Sequence, residues 1–121
     1  MILKNNLYTI LSEKPDEGSF LIHLNADSFV YAAHFPGMPV TPGVCVVQMV
    51  KELAEQMLGR NLIINTIKNA KFLQVMQPGS ADFHVSIAVK KQDGNSVSFQ
   101  GIVSDKENNT YAKISLQTTA A

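Results

Sequence analysis

A single cysteine, Cys45, among 121 residues leaves the chain without an internal disulfide. An excess of charge of one sign is missing too. Ten basic residues face ten acidic ones, so no surface is built to neutralise phosphates, and nucleic acid is not an expected partner. Long apolar runs are also lacking. The opening stretch MILKNNLYTILSEKPDEG contains neither the core of a signal peptide nor a membrane span, which together with the unpaired cysteine leads to the expectation of a soluble, cytoplasmic protein. Internal repeats, low-complexity tracts and blocks of like charge are absent as well, so a linker has nowhere to sit. What the chain does have is hydrophobic residues at 45%, enough for one compact domain over residues 1–121.

Two short β-prone runs, LYTILSE (7–13) and SFLIHLN (19–25), are separated by KPDEG, whose Pro, Asp and Gly are turn residues. Residues 26–41 read as a structured loop with a short helical turn near Phe29 to Ala32, because Pro36 and Pro39 deny a sustained helix and Gly37 permits a tight bend. Thr41, Pro42 and Gly43 resemble an N-cap followed by proline at the first helical position. The helix they open runs to about Leu58 and stops at Gly59. From Leu62 the pattern turns β-prone in four runs divided by QPGS, QDGN and DKENN. The fold class expected is α+β, one long helix laid against an antiparallel sheet.

On a 100° wheel Val46, Met49, Val50, Leu53 and Met57 form one stripe, widened by Val47, Ala54 and Leu58. Gln48, Lys51, Glu52, Glu55 and Gln56 fall on the other side. Gln48 therefore either begins a solvated face or, since Val44 and Cys45 share its sector one turn earlier, belongs to a first turn buried all round.

The segment HFPGMPVTPGV, from His34 to Val44, closely resembles the 3-hydroxyacyl-[acyl carrier protein] dehydratases of fatty acid synthesis. Downstream, IKNAKF and PGS are similar to the same family's strand and turn segment, so the likeness runs from about residue 20 to residue 118. The resemblance implies the hotdog fold, a curved antiparallel sheet wrapped around one central helix. It also implies a homodimer, or a higher oligomer of dimers, and a substrate that is an acyl thioester on acyl carrier protein or coenzyme A. It places the catalytic histidine at His34 and a catalytic carboxylate, contributed across the dimer interface, at the position held here by Gln48. The family pattern of Glu followed four residues later by Gln reads here as Gln48 followed by Glu52, as though the two had been exchanged. Cys45 stands where leucine is usual.

Dehydration of a 3-hydroxyacyl thioester removes a proton beside the carbonyl and expels hydroxide from the next carbon. A neutral imidazole suits the first step, and backbone N–H groups at the helix start, near Gly43, suit the charge on the thioester oxygen. An amide at residue 48 can orient the leaving hydroxyl but cannot deliver a proton. A relay from Glu52, one turn further on, through water to Gln48 is one candidate substitute, weakened because each added link must be positioned and a water is less well fixed than a side chain. Phe35, Met38, Met49 and Phe72 suit an acyl tunnel or an ordinary core, and Gly37, Pro42 and Val44 complete the expected substrate-contacting set. Lys68, Lys71 and Arg60 suit an acidic carrier protein or a phosphate group, or only keep the surface soluble. No cofactor and no metal are expected, since His23 and His84 lack partners at ligand spacing. Cys45 is expected as a small buried side chain rather than a nucleophile. The competing functions are a binding subunit of a dehydratase heterodimer, impaired by Gln48, and a thioesterase of the same fold.

Overall fold

The computed structural model describes residues 2–33, 37–79 and 81–121. Strand β1 (Tyr8–Lys14) is joined to β2 (Ser19–Leu24) by a 3-10 turn, Pro15–Glu17, closed by Gly18 in the left-handed region. A short helix α1 (Phe29–Ala33) and the long helix α2 (Gly43–Leu58) follow, then β3 (Leu62–Phe72), β4 (Asp82–Asp93), β5 (Ser96–Ser104) and β6 (Thr110–Ala120). The six strands form one antiparallel sheet in the order β1-β2-β4-β5-β6-β3. It is the α+β hotdog arrangement, with α2 against one face and β1 and β3 at the two edges.

Alternation builds the sheet. Phe83, Val85 and Ile87 of β4, Val97, Phe99 and Val103 of β5, and Ala112, Ile114 and Leu116 of β6 are buried, with their strand neighbours turned outward. Against that face α2 presents Val46, Met49, Val50 and Leu53. The approach is close enough to require a glycine: a Cβ on Gly101 would lie 2.6 Å from a methyl of Val50. Gly59 ends α2 at φ 69°, its N–H bonded to the Glu55 carbonyl, as expected for a left-handed C-terminal glycine.

Three expectations need correction. The N-cap of α2 is Pro42, with Gly43 the first helical residue, because the Thr41 hydroxyl is paired with Tyr31 instead of capping the helix. The first turn is not buried all round: Val44 is 73% exposed although Cys45 is 4% exposed. Glu52, placed by the wheel among the solvated residues, is buried, because the N-terminal residues fold over it.

Candidate active site

Helix α2 begins without a side-chain cap. The N–H groups of Cys45 and Val46 both turn back to the Pro42 carbonyl, so Gly43 stands at the positive end of the helix dipole with a backbone donor directed out of the helix. A Cβ on Gly43 would come within 2.9 Å of the Phe72 ring. The two residues line one cavity of about 370 Å³, with Val40, Val46, Val75 and Met76 among its other walls. Of the expected site residues, this cavity brings Gly43 and Phe72 together.

One turn into the helix lies a polar cluster centred on Glu52. Gln48 Nε2 donates to Glu52 Oε2 at 2.8 Å, a direct bond between residues four apart, with no water between them. The Leu3 N–H reaches the same oxygen at 2.8 Å, and the Lys4 N–H and the Tyr8 hydroxyl both reach Oε1 at 2.9 Å. Four donors thus converge on two carboxylate oxygens, the acceptor-only set that an ionised carboxylate presents. Burial, reinforced by the neighbouring Glu52 charge, pushes the Tyr8 phenol far above its ordinary range. Glu52 thereby ties the N-terminal segment to α2 and fixes the Gln48 side chain.

Gln48 and Glu52 do not open into the Phe72 cavity. They line a wider groove of about 700 Å³ with Lys4, Lys51, Glu55 and Arg60, on another side of the helix. His34 and Phe35 lie outside the described residues. Gly37 and Met38 are exposed, and Pro42 and Val44 sit at the start of α2. Met49 is fully buried in the core, away from both openings. Lys68 and Lys71 are exposed on β3, and Arg60 is half-buried beyond the end of α2.

Burial raises the Cys45 thiol above its ordinary value, the opposite of what a thiolate nucleophile requires. His23 pairs with Asp82 and His84 with Ser19, each at 2.8 Å, across β2 and β4. Neither histidine belongs to a metal-ligating cluster, and none exists among the described residues. Sequence reading missed the donors Leu3, Lys4 and Tyr8 and the Tyr31–Thr41 pair. No local signal marks them, since each joins segments distant along the chain.

The sequence pattern of the ApeI-like family, ApeI dehydratase, matches residues 11–115. The 3-hydroxyacyl-[acyl-carrier-protein] dehydratase FabZ of Lactiplantibacillus plantarum is 32% identical over 84 residues, 63% of this chain and 57% of that protein. FabZ of Rickettsia rickettsii is 32% identical over 81 residues, covering 60% and 55%. The match therefore spans little more than half the length of these curated relatives. Among solved structures, the dehydratase heterocomplex ApeI:P from Xenorhabdus doucetiae has a chain that superimposes with TM-score 0.70 at 20% identity, covering 92% of this chain and 96% of that one. A hypothetical thioesterase with coenzyme A from Streptococcus pneumoniae TIGR4 gives 0.68 at 9%, covering 94% and 85%.

Proposed function

Because the chain belongs to the ApeI-like dehydratase family, we propose that it dehydrates 3-hydroxyacyl thioesters, carried on acyl carrier protein or coenzyme A, to trans-2-enoyl thioesters in the cytoplasm. The observation that carries this reading is the family match over residues 11–115, which includes HFPGMPVTPGV. Coupled to it is the uncapped start of α2 at Gly43, within that segment.

His34 takes the proton from the carbon beside the carbonyl. The thioester oxygen, where negative charge builds, is met by the N–H of Gly43 at the helix dipole's positive end. The acyl chain runs into the apolar cavity beside Phe72. The C–O bond at the next carbon breaks, and the departing oxygen needs one proton to leave as water. Gln48, contributed by the second copy of the dimer described below, holds that hydroxyl in place but has no proton to release, so the proton comes from the imidazolium formed at His34. The relay through Glu52 is not part of this reading, because the Glu52 oxygens already accept four donors and Gln48 contacts them directly.

The working unit is a homodimer formed along β3. That strand is a sheet edge, and Ile67 and Phe72, paired in register with Leu116 and Ala112 of the inward face, remain half exposed. A second copy there would cover them and bring a second set of site residues to the groove of Gln48.

A second reading, a subunit that binds acyl thioester beside an active partner, is favoured by the amide at 48. Turnover of the purified chain with 3-hydroxyacyl thioesters, measured beside His34→Ala, separates the two. The enzyme reading expects enoyl product from the chain alone and none from His34→Ala at unchanged thermal stability. Equal product from both, or none from either in the presence of tight thioester binding, would overturn it.

A further inference from the structure

We propose that Tyr111 is the wall that limits how long an acyl chain the cavity beside Phe72 accepts, and that a β-bulge at this residue aims its ring there. The proposal deepens the dehydratase reading and rests on it, because it takes the acyl chain to run into that cavity.

Strand β6 buries Ala112, Ile114 and Leu116 and leaves Lys113 exposed. Strict alternation would therefore turn Tyr111 outward with Lys113. The pairing with β5 is not strict at this point. Ala112 lies opposite Val103 and Thr110 opposite Ser104, so Tyr111 is one extra residue with no partner on β5. Such a bulge increases the local twist and re-aims a side chain. The Tyr111 ring packs edge-to-face on the buried Phe83 ring, with centroids 5.0 Å apart and planes at 79°, and so lies on the inward side of the sheet.

The cavity of about 370 Å³ takes Gly43 and Val46 from α2 and the chain from Phe72 to Met76 from beyond β3. Among the described residues that line it, Tyr111 alone comes from β4, β5 or β6. Its ring is the part of the wall that the inner strands supply. That wall is also fixed, since the Tyr111 carbonyl accepts the N–H groups of Leu73 at 2.8 Å and Gln74 at 3.3 Å, both residues of the same lining. An acyl chain whose thioester oxygen is met at Gly43 extends until it reaches this ring, and a longer one has to displace it. Packed interiors do not admit extra methylenes without strain.

The test measures kcat/KM for straight-chain 3-hydroxyacyl thioesters from butyryl to dodecanoyl, and the affinity of the same series by calorimetry, in the wild type, Tyr111→Leu, Tyr111→Trp and Tyr111→Phe. Tyr111→Leu should favour longer chains, raising the ratio of kcat/KM for dodecanoyl over hexanoyl by about tenfold or more. Tyr111→Trp should move that ratio the other way, and Tyr111→Phe, which keeps the ring, should keep the wild-type order of preference. A loss shared equally by every chain length, or an unchanged ratio in both the Leu and Trp variants, overturns the proposal, because a merely structural role weakens all substrates alike. Should thermal unfolding show that Tyr111→Leu does not fold, the shift in Tyr111→Trp decides. If the wild type turns over none of the series, the dehydratase reading falls, and the same ratios taken from the affinities decide whether Tyr111 is the wall.

Discussion

Replacing Gln48 with glutamate would place a carboxyl oxygen where an amide nitrogen now sits, 2.8 Å from Glu52 Oε2. Two negative charges at that separation repel by about 6 kcal/mol at an effective dielectric constant of about 20. Position 48 is only partly buried, and solvent screening reduces this repulsion. A proton shared by the two carboxyl groups relieves it, so the variant's acid titrates above the ordinary carboxyl range. Both Glu52 oxygens already accept from Leu3, Lys4 and Tyr8. The shared proton therefore resides on residue 48, from which it can donate to Glu52 and keep the existing bond.

On the proposed mechanism Gln48→Glu thus supplies a carboxylic acid that keeps its proton to higher pH than an isolated one, at the position assigned to the departing hydroxyl. The expected gain in dehydration rate is about ten- to a thousand-fold, a share of the usual range for acid catalysis. Formation of enoyl thioester should be followed from about pH 4 to about pH 9, where the variant's rate should fall on the alkaline side with a midpoint above the ordinary carboxyl range. A folded variant that binds substrate but gains no rate at any of these pH values would refute the assignment of residue 48 to the leaving hydroxyl. A gain whose alkaline limb lies near the ordinary carboxyl value would refute the coupling to Glu52.

Ile67→Asp puts a charge on the uncovered inward side of edge strand β3, and sedimentation at about micromolar concentration should show the wild type as a dimer and the variant as a monomer. Tyr8 and Tyr31 both have phenols raised above the ordinary 10.0, chiefly by burial. A raised folded-state value means that the stability they contribute is fully present below about pH 10 and is lost as the pH climbs toward the folded-state values. Denaturant midpoints measured above pH 10 should therefore fall steeply in the wild type and less steeply in Tyr8→Phe.

Strands β4 and β5 were legible because a single face of each carries the core. Phe83, Val85 and Ile87, or Val97, Phe99 and Val103, announce period two without any knowledge of what covers them. The end of α2 was legible for an equally local reason, since Gly59 supplies the left-handed residue itself. What failed depended on partners far along the chain. Thr41 has every local mark of a helix cap, yet its hydroxyl is engaged by Tyr31. A helical wheel gives the direction of Glu52 relative to the apolar stripe. It contains nothing about residues 3–8, which return over that side and bury it. Met49 and Phe72 were equivalent as apolar residues in a motif, and only packing separates the core position from the cavity wall.

Swapping Gln48 and Glu52 would preserve one bond and alter everything around it. An amide one turn from a carboxylate can make the same contact whichever comes first. Position 52, however, also receives the N–H groups of Leu3 and Lys4 and the Tyr8 hydroxyl, spread over both oxygens. A glutamine there offers one acceptor oxygen, and its NH2 group confronts donors. The double variant Gln48→Glu, Glu52→Gln, which restores the order expected from the resemblance, should therefore regain an acid but lose the anchor of its N-terminal segment. Hydrogen bonds to a charged acceptor contribute about 1.5–3 kcal/mol each. With some of the donors rehydrated as the segment loosens, the net loss should be about 2–4 kcal/mol. Urea unfolding should show this deficit in the double variant and in Glu52→Gln alone, with a smaller change in Gln48→Glu. Amide exchange at Leu3 and Lys4 should rise in the first two only. A double variant as stable as the wild type, with Leu3 and Lys4 still protected, would mean that the segment is held by the burial of Leu3 and Leu7 and not by the Glu52 carboxylate.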